Sequence, residues 1–227
     1  VSNTRDDAAT DLLIREVDDD LRQENLHKLW KKYGALMVGG AVAVVLSVAG
    51  VQGWQVYQRN QAQLASQRFA AAILQVDKGD KVKGADSLQA LAAEGNSGYR
   101  LLAEMKMAQM KVESGDLAAA IALYEKVAGD SGIDGVYRDL ASLKAAYLKL
   151  NVGQVDGLEA RMTPLAVEAS PWRHSAREVL ALVALKAGDN AKAQDWLRKV
   201  TDDVAAPTAI RGRAAELLAA LDNGAKG

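Results

Sequence analysis

Residues 101–127 read LLAEMKMAQMKVESGDLAAAIALYEKV, and the pair Gly115-Asp116 in the middle of them decides the fold. A helix-length run of good helix formers stands on each side of that pair. Glycine closes the first helix at the position that needs a positive φ, and aspartate is suited to cap the helix that follows. In the second segment Leu117, Ala120, Ile121 and Tyr124 fall on one face at helical spacing, the stripe that must be buried against a neighbour. The unit is therefore helix, tight turn, helix.

Outward from this unit the same punctuation recurs. Gly79-Asp80, Gly115-Asp116, Gly153-Gln154 and Gly188-Asp189 are separated by 36, 38 and 35 residues, a period that signals a helical repeat. In SAREVLALVALKAGDNAKAQDWLRKV, residues 175–200, Ala193 and Leu197 stand at the offsets from glycine where a small residue allows close helix contact and a larger one packs beside it. Such units cannot bury their apolar faces alone and stack into an array. The third unit departs from the plan, because Gly157 and Pro164 interrupt it and no aspartate follows Gly153. Ser170-Pro171-Trp172 reads as the start of the next helix, with Pro171 in its first turn and Trp172 locking two units together. Three prolines and one phenylalanine among 227 residues agree with an all-α chain, and almost no sheet is expected.

Upstream lies a stretch of a different kind. No residue from Tyr33 to Gln58 is charged, and the part from Tyr33 to Trp54 would span about 31 Å as a helix, the thickness of the hydrocarbon core. Leu36, Val38, Val42, Val44, Val45, Leu46, Val48 and Val51 each favour insertion by about 0.3–0.6 kcal/mol, or about 2.4–4.8 kcal/mol together. Trp30 and Tyr33 before the run, and Trp54 and Tyr57 after it, suit the headgroup boundary, with Lys31 and Lys32 beside the first pair. The small residues Ser47-Val48-Ala49 resemble a signal-peptidase site. However, the run is longer than a signal h-region and follows about thirty residues rich in acids, so a permanent span is the better reading. A buried core helix of this length and uniformity fits less well.

Basic residues set the orientation. Arg22, Lys28, Lys31 and Lys32 precede the run and only Arg59 follows closely, so the N-terminus is expected in the cytoplasm. Within the span Ala35, Gly39, Ala43 and Ser47 recur every fourth residue, a stripe against which another membrane helix can pack. Before it, Leu13, Ile14, Val17 and Leu21 keep an i, i+3, i+4 pattern that predicts a short amphipathic helix, and Asp18-Asp19-Asp20 reads as a solvated face. After it, Trp54 to Asp77 contains no breaker, so the membrane helix is expected to run into the first external helix. The organisation read from the chain is a cytoplasmic segment over 1–32, a transmembrane helix over 33–57 and an extracytoplasmic repeat domain over 58–227.

Several kinds of chemistry find no support. A net charge of -1 and a pI near 6.2 give no field for nucleic acid. Without cysteine there is no disulfide, thiolate nucleophile or zinc ribbon. The two histidines, His27 and His174, lack partners at metal-ligand spacing and read as interfacial or surface residues. No nucleophile elbow, phosphate loop or HExxH pattern occurs. Neither a catalytic site, a metal nor a cofactor is expected.

The repeat signature Gly115, Leu117, Ala120, Tyr124, with Gly188, Ala193 and Leu197, resembles the tetratricopeptide repeat class, although the closing proline of that pattern is missing from the unit around Gly115. The wider arrangement is similar to the single-pass inner-membrane family of tetratricopeptide-like proteins that includes the bacterial ancillary subunit of the Sec translocon. Three stretches carry that resemblance: REVDDDLRQENLHKLWKKYGALMVGG (15–40), SPWRHSAREVLALVALKAGD (170–189) and DVAAPTAIRGRAAELLAAL (203–221). It implies an inner-membrane anchor, a periplasmic repeat domain, and a role in protein export through binding the Sec translocon and a periplasmic chaperone. An accessory or assembly subunit of another membrane complex is the rival reading.

Overall fold

The computed structural model describes the backbone of residues 3–94 and 96–224 and the side chains of residues 30–94 and 96–223. The apolar face Leu13, Ile14, Val17 and Leu21, His27, and the basic residues Arg22 and Lys28 lie outside the described side chains. Among the described residues the secondary structure is helical throughout: α1 (Asn3–Asp77), α2 (Lys81–Glu94), α3 (Ser97–Glu113), α4 (Leu117–Gly129), α5 (Gly135–Asn151), α6 (Leu158–Met162), a 3₁₀ turn (Thr163–Leu165), α7 (Arg173–Lys186), α8 (Asn190–Thr201) and α9 (Thr208–Gly224). The chain divides into two compact units at Asn60/Gln61, so α1 contributes to both.

In the first unit the apolar run is helical and its side chains face outward. Only 6 % of its most apolar stretch is buried, and Leu36, Val44, Val45 and Leu46 are all exposed. A core helix of a soluble protein would hide these residues. The helix is long and apolar enough to cross a membrane.

In the second unit four buried clusters follow one another along the chain. The first joins Ala65 and Ala72 of α1 with Leu88 and Leu91 of α2 and Ala103 of α3. The second joins α3, α4 and α5 around Tyr124 and Val127. The third joins α5, α6 and α7 around Met162 and Leu180, and the fourth joins α7, α8 and α9 around Leu197, Val200 and Ala214. Every cluster thus takes the first helix of a pair, its partner and the first helix of the next pair. Stability in such an array comes from nearest-neighbour contacts.

The turns explain the pairing. Gly79, Gly115, Gly153 and Gly188 all have φ between 77° and 92°, a left-handed conformation that costs an L-residue with a Cβ. At each, the glycine N–H donates to the carbonyl three residues back and the next N–H to the carbonyl five back, as in Gly115 to Val112 and Asp116 to Lys111. That is the Schellman closure of a helix. Asp80, Asp116 and Asp189 then cap the following helix, accepting from the N–H of Lys83, Ala119 and Lys192. Gln154 has no such bond; the next helix starts only after Gly157, without a side-chain cap, and ends after five residues. The degenerate third unit therefore keeps its turn and loses its cap.

One expected boundary needs correction. The fourth pair's first helix does not begin at Pro171 but at Arg173: Pro171 and Trp172 form a turn in which the Trp172 N–H donates to Ser170 Oγ at 3.1 Å. The indole Nε1–H donates to Val136 O at 3.0 Å, which ties α7 to the start of α5 across the third unit.

Candidate protein-interaction surfaces

The packing register is written at fixed offsets from the turn glycines. Five residues after each stands Gly84, Ala120, Leu158 or Ala193, and nine after each stands Leu88, Tyr124, Met162 or Leu197, all buried. Seven residues before each glycine stands alanine: Ala72, Ala108, Ala146 and Ala181, continued by Ala214 in α9, and all are buried. These positions let paired helices approach closely. Sequence patterning does not single out this recurrent alanine, because alanine is abundant in the chain and looks like filler. In the first pair glycine is required at this offset, since a Cβ on Gly84 would meet Val76 Cγ2 at 2.4 Å. Leu117, the first residue of α4, is only half-buried and stands outside this register.

Two polar networks brace the last units. Glu178 on α7 is buried, and its carboxylate accepts from Tyr147 Oη on α5 at 2.6 Å and from Arg213 Nε and Nη2 on α9 at 2.6 and 2.9 Å. Burial and the adjoining carboxylate push the Tyr147 phenol well above its ordinary range, while the same carboxylate raises Arg213 further. At the other end of α7, His174 Nε2 lies 2.7 Å from Asp203 Oδ2, and Arg173 Nε donates to the same oxygen at 3.2 Å. These bonds, with the Ala205 N–H, hold the Asp203 carboxyl down at about 2. His174 is only 6 % exposed, so it is an interior residue of this network. Arg177 completes it, donating to Ala166 O, Lys199 O and the Glu168 carboxylate. Every strong donor here has an acceptor within the fold, which marks both networks as bracing.

A different surface is open. A groove of about 750 Å³ runs between α2 and α4 over the C-terminal half of α3. Val82, Ala85, Met107, Met110 and Leu123 supply apolar walls and floor, and Lys81, Lys111 and Lys126 stand on it with one acid, Asp86. Val82 is 74 % exposed. Below Lys126 is Glu104, 1 % exposed, whose Oε1 lies 2.8 Å from the ammonium. Neither Glu104 oxygen has a directed hydrogen bond, so the pair is held by charge alone. Among the described residues no cluster of His, Cys, Asp or Glu could hold a metal ion.

In the first unit the small stripe Ala35, Gly39, Ala43 and Ser47 is exposed, and a Cβ at Gly39 would meet nothing within 4 Å. Ser47 Oγ donates to Ala43 O at 2.8 Å, which satisfies the hydroxyl inside the helix and leaves the face apolar. The aromatic pairs at the two ends are exposed as well: Lys32 Nζ lies 5.3 Å from the Tyr33 ring centroid, and the Trp54 and Tyr57 rings are 5.9 Å apart.

A family model described as a tetratricopeptide repeat-like domain matches residues 27–195. The chain belongs to that family. This tetratricopeptide-like match takes in the apolar helix as well as the paired helices, and it ends inside α8, while the packing register continues to Val200 and Ala214. Two similar proteins are each called an ancillary SecYEG translocon subunit. That of Haemophilus influenzae is 26% identical over 143 residues, 62% of this chain and 68% of the relative. That of Escherichia coli is 26% identical over 168 residues, 72% of this chain and 80% of the relative. No solved structure matches.

Proposed function

We propose that this protein is a membrane-tethered binding module of the bacterial inner membrane that recruits protein partners beside the Sec translocon. The observation that carries the proposal is that one family match runs through both an outward-facing apolar helix and a tetratricopeptide-like array, in a chain similar to two ancillary SecYEG translocon subunits. The positive charge before the span favours a cytoplasmic N-terminus and a periplasmic repeat domain. There the array would hold a periplasmic chaperone near emerging chains. Tethering helps because a domain confined to the membrane surface meets its partner at a high effective concentration, so a weak surface is occupied often. In the braced units the charged groups Glu168, Arg177 and Asp203 that line a cavity of about 690 Å³ are bonded to one another or to His174 and Arg173, which supports a bracing role for them.

A second reading makes the protein an accessory or assembly subunit held through the membrane helix. The exposed, satisfied stripe Ala35-Gly39-Ala43-Ser47 favours it. Copurification after mild solubilisation separates the two. Recovery of SecYEG or chaperone subunits that persists after Gly39→Leu with Ala43→Leu, and is lost on deleting 78–227, supports the array as the binding element. The reverse pattern supports the membrane stripe, and recovery of neither partner by the unaltered chain refutes the Sec reading.

A further inference from the structure

We infer that the groove between α2 and α4 receives an acidic amphipathic helix of a partner protein, an inference that rests on the protein-binding reading above. Its apolar surface is laid out for occupation. Val82 projects into it at 74 % exposure although it belongs to a helix whose other face is tightly packed. Met107 and Met110 form the floor, and unbranched thioether side chains adapt to varied apolar partners.

Charge selects the occupant. The chain as a whole carries -1, yet the groove presents three lysines against one aspartate. Lys111 and Lys126 each have an acid nearby, Asp116 at 3.2 Å and Glu104 at 2.8 Å. Neither acid lines the groove, and each ammonium keeps donors free for it. An occupant with carboxylates flanking an apolar stripe would match this pattern, whereas a basic one would meet like charge.

The walls also select secondary structure. An extended peptide binds well where a sheet edge offers backbone donors and acceptors. Among the described residues there is no strand, and helices form every wall, so an extended backbone would lose its hydration without replacement. A helix satisfies its own backbone and presents only side chains. The groove thus suits helix-in-groove recognition, on the side of the second helices of the first two pairs.

The test uses the full chain in lipid nanodiscs and three labelled 18-residue peptides: a helical leucine stripe flanked by Glu, the same stripe flanked by Lys, and a scramble of the first. Because the chain lacks cysteine, Ala85→Cys carries a single environment-sensitive dye in the groove. The Glu peptide is expected to bind about tenfold tighter than the other two and to shift the dye. Lys81→Glu with Gln89→Glu, both exposed on α2, should weaken it about tenfold. Lys78→Glu with Gln67→Glu, the same charge change at two exposed positions outside the groove, should alter it by less than about twofold. Equal binding of the Glu peptide and its scramble, equal loss in both variants, or binding without a dye shift would overturn the inference. Failure of the titration while the unaltered chain still recovers SecYEG would overturn the inference and leave the translocon reading intact. No recovery by the unaltered chain would refute that reading, and the peptide titration would still decide the groove.

Discussion

Replacing Gly84 by alanine tests the packing register where α2 meets α1. The added Cβ would lie 2.4 Å from Val76 Cγ2 and 3.2 Å from Ala72 O, whereas carbon atoms rest about 3.5–4.0 Å apart. The methyl must retreat by more than an ångström, and valine in a helix has one strongly preferred rotamer, so α1 and α2 have to separate. Overpacking of this kind costs about 1–3 kcal/mol. Alanine returns up to about 1 kcal/mol of helix propensity, which leaves a net loss of up to about 2 kcal/mol. For a chain of this size that is a fall in Tm of up to about 8 °C. Gly212 in α9 is the control, because a Cβ there meets nothing within 4 Å; Gly212→Ala should stabilise by up to about 1 kcal/mol. Thermal unfolding of the full chain, followed by circular dichroism, reads both. Trimming the obstruction with Val76→Ala in the Gly84→Ala background should recover part of the loss. If Gly84→Ala stabilises as much as Gly212→Ala does, the close approach of α1 and α2 is wrong.

Three further substitutions probe the polar interior. Arg213→Met strips two hydrogen bonds from the buried Glu178 carboxylate and should cost about 2–3 kcal/mol in urea unfolding, much of it restored by adding Glu178→Leu; an unchanged midpoint would remove the network from the account of stability. Asp203 has its carboxyl lowered from 3.8 to about 2, so the unfolded chain binds the proton more readily. Its contribution is complete above about pH 4 and disappears as the pH falls through about 2. Asp203→Asn should flatten the stability profile in that acid window, and an unchanged slope there contradicts the assigned bonds. Glu104→Met removes a buried carboxylate without directed hydrogen bonds and is expected to be neutral or to stabilise by about 1 kcal/mol; a loss of more than about 1 kcal/mol would show that Lys126 stabilises it more than the geometry indicates.

The fold was legible where local chemistry decides it. Turn glycines at a 35–38-residue period take positive φ at all four turns, and the aspartate after three of them supplies a cap, while the uncharged run from Tyr33 reads through length alone. What escaped depends on partners distant in the chain. Glu178 and Arg213 stand 35 residues apart, and nothing nearby in either segment announces a buried carboxylate. His174 looked ordinary for the same reason, since Asp203 lies 29 residues on. The groove is less legible still: Val82 and Met110 each look like core residues in their own helix, and only the juxtaposition of α2 with α4 leaves them facing open space. Pro171 misled in the opposite direction, because proline suits a first helical turn and also an ordinary turn, and Ser170 Oγ chose the latter.

Site-specific photocrosslinking in intact bacterial membranes, read by mass spectrometry, tests the membrane-tethered binding role most directly. A photoreactive residue replaces Gln89 at the groove in one sample and Gly39 in the apolar helix in another. A tethered module beside the translocon gives SecYEG or chaperone peptides from position 89, in segments that face the periplasm. Crosslinks from position 89 to cytoplasmic proteins, or to no protein while position 39 captures SecYEG, would contradict it.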